Sequence, residues 1–147
     1  LNLGALDAED LKILSALAQD AVFPIAEMTW RPKDRRLAIL LNRFRWEDSD
    51  AAARQNRKPE RVQSVLVIDH VQTVSSFGID RKDHNTVLSV LEIAFETTDD
   101  VSGHVTLVLA GDGAIRATVE TLELSLKDVT KPYVAPSKHV PTHPTDT

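Results

Sequence analysis

The sequence predicts a single α+β domain, in which one N-terminal helix packs on about six mostly antiparallel strands that form a curved sheet or a partly closed barrel. Three observations support this prediction. The chain has 147 residues, close to the commonest size of one domain. Apolar residues follow a helical period at the start and mostly a period of two from Phe23 onward. A tail rich in proline follows, so we expect a domain over residues 1–130 and a Pro-rich tail over 131–147.

The N-terminal helix is predicted from a cap and an apolar stripe. Asp7 suits the N-cap position, because its side chain can accept a hydrogen bond from the first turn. Leu11, Leu14 and Leu17 then recur at helical spacing. We expect a helix over about residues 8–20, which Pro24 prevents from continuing.

The strands are predicted from alternating apolar residues, with short turns between them. A helix starting at Asp83 is the rival interpretation for one stretch, and we prefer a strand because the alternation continues through Thr97. Near Glu120 the apolar positions slip by one, which predicts a bulge or a strand that crosses from one sheet to another. The long strand over 61–76 is expected to bend. The predicted strands cover about residues 25–31, 36–45, 61–76, 88–96, 105–109 and 115–126.

Composition excludes several classes of protein. The chain has no cysteine, which excludes disulfides, thiolate metal sites and a cysteine nucleophile and is consistent with a cytoplasmic protein. The longest apolar run, Leu37 to Leu41, is too short to span a membrane, and we expect no membrane association. The glycines around Asp112 precede a strand and lack the context of a phosphate loop, so they predict a hairpin turn. We expect no cofactor and identify no catalytic residue.

The strongest electrostatic feature is a basic segment in an acidic chain. The net charge is −5, yet residues 31–61 hold ten Lys or Arg against five Asp or Glu. Three interpretations of this segment stay open: a solvated face with Phe44 and Trp46 in the core, a surface that binds an acidic protein or a second copy, or a site for single-stranded nucleic acid. The candidate partner-binding residues are Arg43, Arg45, Arg54 and Arg57.

A second candidate site, a polar pocket or ion site, combines a turn with a histidine. Asp80, Asp83 and His84 cluster in one turn, and carboxylates with imidazole can bind a divalent ion or transfer protons. The same residue types are also ordinary in turns, which is the competing interpretation. His70 lies within a predicted strand, where we expect a hydrogen-bonded interior side chain.

His139 and His143 have the spacing of a metal-binding pair on a helix. The prolines around them oppose a helix, so we interpret both histidines as solvated tail residues and predict no metal site.

Five stretches of the chain carry a resemblance to a known family. They are LNLGALDAEDLKILSALAQDAVFP, LAILLNRFRWED, ERVQSVLVIDHV, FGIDRKDHNTVLSVL and LAGDGAIRATVETLELSLKDVTKPY. The chain resembles, from about Leu1 to Tyr133, a family of small alphaproteobacterial proteins catalogued as unknown-function family 2948. The resemblance implies a bacterial, intracellular protein of one domain. It implies no activity and assigns no residue a role.

The leading hypothesis is a non-catalytic protein-interaction or regulatory module. In it the four candidate arginines contact a partner, and the tail over 131–147 holds that partner or a second copy. Two alternatives stay open: a small-molecule-binding protein or enzyme with a pocket on the curved sheet, and a weak nucleic-acid binder through residues 31–61.

Overall fold

The computed structural model describes residues 1–80, 82–99 and 101–134. Within these ranges the chain forms two α-helices and eleven strands that pair antiparallel. The helices are α1 (Ala8–Ala18) and α2 (Ser49–Arg54). The strands are β1 (Asn2–Ala5), β2 (Val22–Pro24), β3 (Met28–Arg31), β4 (Arg36–Phe44), β5 (Glu60–Ile68), β6 (Val71–Phe77), β7 (Val87–Thr97), β8 (Gly103–Leu109), β9 (Ala114–Val119), β10 (Leu124–Asp128) and β11 (Tyr133–Val134).

The strands form one curved sheet in the order β1-β10-β5-β4-β2-β7-β8-β9-β6, with β3 paired to β4 and β11 paired to β5. We call the part from β1 to β2, with β3 and β11, half A, and the part from β7 to β6 half B. The short pairing of β2 with β7 joins the two halves. The backbone N–H of Val71 donates to the carbonyl of Arg35 over 2.9 Å, which brings the two halves together at one corner. The sheet is not closed.

One continuous core fills the space between the halves. Every second residue of the long strands points inward, and α1 adds Leu11, Leu14 and Ala18 to the same cluster. The helix packs mainly on β7 and β1. The inward residues of the sheet include Leu37, Ile39, Leu41, Leu66, Ile68, Val105, Leu107, Leu109, Ile115, Val119, Leu124 and Leu126.

The predicted N-terminal helix is confirmed in its start and in its buried face, but the prediction of a single helix is wrong, because α2 forms between β4 and β5. Asp7 caps α1, and its carboxylate accepts a hydrogen bond from the N–H of Asp10 at 2.8 Å. The helix ends at Ala18, two residues earlier than expected. Asp20 adopts a left-handed conformation there (φ 62°) and turns the chain into β2.

The mostly antiparallel sheet is confirmed, although its strands are shorter and more numerous than the predicted six. The hairpin of β3 and β4 forms as expected, but Ile25–Glu27 is a single 3-10 turn before it. The predicted long strand bends at Asp69 and His70 and becomes β5 and β6. The stretch that could have been a helix is the strand β7.

The parity slip near Glu120 marks a real change of position. The chain leaves half B at the end of β9 and enters half A in β10, so it crosses between the two parts of the sheet. Residues 120–123 belong to neither strand, so the prediction of one strand over 115–126 is wrong. Asp69 and Glu120 take part in backbone hydrogen bonds at this corner, with Glu123 and His70 respectively.

The predicted tail begins inside the sheet. Tyr133 and Val134 pair with Arg61 and Glu60 of β5, so strand pairing continues beyond Thr130. Both β10 and β11 pair with β5, so the two residues of β11 continue the pairing that β10 begins along this strand. Residues 135–147, including His139 and His143, lie outside the described residues. Neither helix of the described chain has the length and hydropathy that a membrane span requires.

Candidate functional site

A fully buried arginine closes one end of the core. The inward positions of β4 are Leu37, Ile39, Leu41 and then Arg43, which has no exposed surface. The strand register brings Arg43, Ser64 and Asp128 together from β4, β5 and β10. A cation this deep requires anionic partners, because desolvating an unpaired charge is very costly.

The partners of Arg43 satisfy its whole guanidinium. Nε donates to Ser64 Oγ at 3.0 Å, and Nη2 donates to Asp128 Oδ1 at 3.0 Å. Nη1 and Nη2 also donate to the two carboxylate oxygens of Glu47 at 2.9 and 2.7 Å. We call Arg43, Glu47, Ser64 and Asp128 the buried arginine cluster. Its two carboxylates offset the buried positive charge.

Both carboxylates of the cluster favour the ionised form. Burial acts to raise the pKa of Asp128, but hydrogen bonds from Ser64 and Arg43 and the charge of Arg43 act against it, and this pKa lies below its ordinary value. Burial likewise acts to raise the pKa of Glu47, and the bonds from Arg43 and from the Glu47 backbone lower it overall. The cluster is therefore charged at neutral pH.

These lowered pKa values predict an acid dependence of stability. A carboxyl whose pKa is lower in the folded state stabilises the fold above its unfolded pKa, about 4, and loses that contribution as the pH falls through the folded value. We expect the unfolding free energy, measured with urea at a series of pH values, to fall below about pH 4. The fall should be shallower in Asp128→Asn and unchanged in Asp50→Asn, which alters an exposed carboxylate on α2. Equal pH profiles for the Asp128 variant and the parent would contradict this prediction.

A second ion-pair network stabilises the connection between β4 and β5. Arg45 pairs with Glu60 at 2.7 Å and with Asp48 at 3.4 Å. Arg57 approaches the same two carboxylates at 3.7 and 3.2 Å. The hydrogen bond from Arg57 is the main reason why the pKa of Asp48 is lowered. These pairs tie the short helix α2 to the sheet.

The structure places the four candidate partner-binding arginines in different environments. Arg43 is buried, while Arg45 and Arg57 have side chains that are 24% and 41% exposed and paired internally. Arg54 is exposed, and within the described residues its guanidinium has no hydrogen-bond or ion-pair partner. Of the ten basic residues in 31–61, six form ion pairs within the described chain, which reduces the positive charge available to nucleic acid.

The aromatic neighbours of these arginines lie largely inside the protein. Phe44 is 3% exposed. The ring centroids of Phe44 and Trp46 are 4.7 Å apart in an edge-to-face arrangement. The indole Nε1 of Trp46 donates to the carbonyl of Gln19 at 2.9 Å, at the end of α1. Phe44 thus agrees with the interpretation that places the aromatics in the core.

In the predicted polar turn, the side chains of Asp80 and Asp83 accept hydrogen bonds from the backbone of the turn itself. Asp80 Oδ1 accepts from the N–H of Lys82 at 3.0 Å, and Asp83 Oδ1 accepts from the N–H of Asn85 at 3.1 Å. Such side-chain-to-backbone bonds are the ordinary role of Asp in turns. The carbonyl of His84 accepts from the N–H of a residue in the 3-10 turn before β3. Within the described residues, no group of three or more His, Asp or Glu side chains could hold a metal ion.

His70 is separated from that turn by the whole of β6. Seven residues of strand correspond to about 23 Å, so the two places do not form one pocket. His70 adopts a left-handed conformation (φ 59°), and its Nε2 lies 2.8 Å from Glu123 Oε1. The predicted hydrogen bond is present, but the interior position is wrong, because the side chain is 43% exposed at the bend between the strands.

An apolar groove lies where β2, β4 and β5 of half A meet Val87 at the start of β7. Leu40 of β4 pairs with Val65 of β5, and Ala38 pairs with Val67, so apolar side chains occur on both faces of these strands. The groove has a volume of about 310 Å³. We call it the outer groove, and its lining comprises Val22, Phe23, Pro24, Glu27, Leu40, Leu41, Asn42, Gln63 and Val87.

The chain matches, over residues 1–143, the family described as "Protein of unknown function (DUF2948)". The chain belongs to this family. No match was found among curated proteins or among solved structures. Membership confirms the resemblance seen in the sequence and gives this chain no assigned activity.

Sequence reasoning missed two features of this DUF2948 chain. The buried arginine cluster was not predicted, although Arg43 continues the inward positions of an apolar strand and could have been suspected on that ground. The outer groove had a clearer signal. The stretch over 61–76 has apolar residues on both faces, which is typical of a strand that is covered on both sides. In the described structure, the core covers the inner face of β5.

Proposed function

We propose that this protein is a non-catalytic protein-interaction module and that its partner binds in the outer groove. One observation carries the proposal. The central strands β4 and β5 are apolar on both faces, and the described residues bury Leu40 and Val65 on the outer face only in part. Strands with two apolar faces normally occur where both faces are covered. A partner segment would supply the missing layer.

The lining of the outer groove supports a particular kind of partner. Its volume lies at the low end of small-molecule pockets, which favours a few side chains over a complete ligand. The side-chain amide of Gln63 has no hydrogen bond within the described residues and is available to a peptide backbone, whereas its backbone N–H donates to Thr130 Oγ1. Glu27 adds a negative charge to the lining. The partner is therefore an extended peptide segment with apolar side chains and a basic residue beside Glu27.

Other expectations about partners belong to the same proposal. Of the four candidate arginines, we retain Arg54 as a contact for an acidic partner, because its guanidinium is unpaired within the described residues. A second copy of the chain and the segment 131–147 are the competing occupants of the groove. We place the protein in the cytoplasm of an alphaproteobacterium, as its cysteine-free sequence and its resemblance suggest.

The proposal is tested with two matched substitutions. Val87 lines the groove and is 62% exposed, whereas Ile13 on α1 is 56% exposed and does not line it. We expect Val87→Lys to reduce recovery of a partner in affinity purification at least tenfold, a loss of about 1.4 kcal/mol, because a charge replaces an apolar contact. Ile13→Lys should leave recovery unchanged. Equal recovery with both variants would overturn the proposal.

A further inference from the structure

On the outer face of half B, Arg116 of β9 lies between polar residues of the two neighbouring strands. The register of β6, β9 and β8 places Ser75 and Thr106 directly opposite Arg116 on its two sides. Thr118 follows two positions along β9, and its hydroxyl lies 3.2 Å from His104 Nδ1. Directly opposed residues have Cβ atoms about 5 Å apart, so Ser75 and Thr106 are the nearest side-chain neighbours of Arg116 across the sheet.

Arg116 lacks an oxygen partner. Its Nε is buried, yet it makes no hydrogen bond, and within the described residues no carboxylate lies within 4.0 Å of the guanidinium. The other arginines with buried surface have oxygen partners. Arg45 Nε is also buried without a hydrogen bond, but Arg43 and Arg45 pair with carboxylates through their terminal nitrogens, and Arg61 donates to oxygens of Asn42 and Asp20. A buried donor without an acceptor requires an explanation, and an ordered water or a ligand at the guanidinium would supply the acceptor.

An aromatic ring lies beside the same guanidinium. Arg116 Cζ is 5.5 Å from the centroid of Phe77, and that ring is 51% exposed. Phe77 pairs with Ala114, which pairs with Val108 on the next strand. The surface next to Arg116 is thus apolar on the side of Phe77, Ala114 and Val108 and polar elsewhere. The carboxylates of Glu92 and Glu96 on the same face belong to β7, two strands and about 10 Å from Arg116.

We infer that Arg116, Ser75, Thr106 and Phe77 form a binding site for an oxyanion carried on an aromatic or apolar group. The planar guanidinium can bind a phosphate or carboxylate through two parallel hydrogen bonds, and the hydroxyls can donate to the remaining oxygens. The exposed ring of Phe77 supplies the surface for the apolar group. This site lies on β6, β8 and β9 and shares no residue with the outer groove.

The experiment is an NMR titration of the full chain with phenyl phosphate and benzoate, using inorganic phosphate and phenol as half-probes. We expect saturable shifts of the backbone amides around Arg116 and of the Arg116 Nε–H resonance. Phenyl phosphate or benzoate should bind at least tenfold more tightly than either half-probe, and their ranking distinguishes a phosphate from a carboxylate ligand. Arg116→Gln should weaken binding at least tenfold.

The matched control is Arg54→Gln, which removes another unpaired arginine and should leave the affinity unchanged. Arg116→Lys keeps the positive charge but loses the two parallel hydrogen-bond donors of the guanidinium, and it should weaken binding several-fold. Absence of saturable shifts, equal affinity for phenol and phenyl phosphate, or an equal loss in both glutamine variants would overturn the inference. Because the Nε–H resonance is read in the unmodified protein, the test does not depend on the folding of a variant.

Discussion

Replacing Arg43 by methionine is expected to lower the free energy of unfolding by about 3 kcal/mol, because Asp128 and Glu47 would then be left beside the core without a cation. Arg43 is fully buried, and it donates to both carboxylates and to Ser64. A partner-binding arginine on the surface would give a change within about 0.5 kcal/mol. Urea unfolding distinguishes the two cases.

The controls separate the pairing from the loss of a long side chain. Arg54→Met removes an exposed, unpaired guanidinium, and we expect it to change stability little. Neutralising the partners in Arg43→Met with Glu47→Gln and Asp128→Asn should restore part of the lost stability, because the cost comes from the unpaired carboxylates. If Arg43→Met is as stable as the parent, the buried arginine cluster does not stabilise this fold.

Gly103→Ala is expected to destabilise the domain by at least about 2 kcal/mol, through overpacking at the start of β8. A methyl group there would clash with the carbonyl oxygen of Glu96 and would lie 2.8 Å from Phe95 Cε1. The Glu96 carbonyl cannot move freely, because Glu96 and Thr97 pair with His104 and Gly103 at this end of the β7–β8 ladder.

Gly4→Ala is the matched control for this substitution. Gly4 also lies in a strand, but the nearest atom to its added methyl group is the carbonyl oxygen of Leu124 at 3.8 Å, an ordinary contact. We expect a change within about 0.5 kcal/mol in thermal or urea unfolding. Equal losses for the two alanine variants would mean that close packing at Gly103 is not what requires glycine.

Sequence patterns correctly predicted the elements that are determined by residues close together in the chain. The cap at Asp7, the alternation through Thr97 and the parity slip near Glu120 each depend on a few neighbouring residues, and each was predicted correctly. The short strands were missed for the opposite reason. β2 has three residues and β11 has two, so their pairing is decided by the neighbouring strands and leaves no period in the sequence.

The candidate sites were harder to predict, because charge alone does not reveal pairing. The basic segment over 31–61 suggested a free cationic surface, but its acidic partners include Asp128, 85 residues away from Arg43. The chain order gives no hint of that contact. Arg116 was likewise overlooked, since its significance comes from the hydroxyls of two neighbouring strands and not from residues beside it in the sequence.

The most direct test of the proposed function is site-specific photo-crosslinking in the producing cells, with a benzophenone amino acid at position 87 in the outer groove and at position 13 on α1 as the control. The account predicts one crosslinked partner protein at position 87 that is absent at position 13. No crosslink at position 87, the same products at both positions, or a crosslink only to residues 135–147 of the same chain would contradict it.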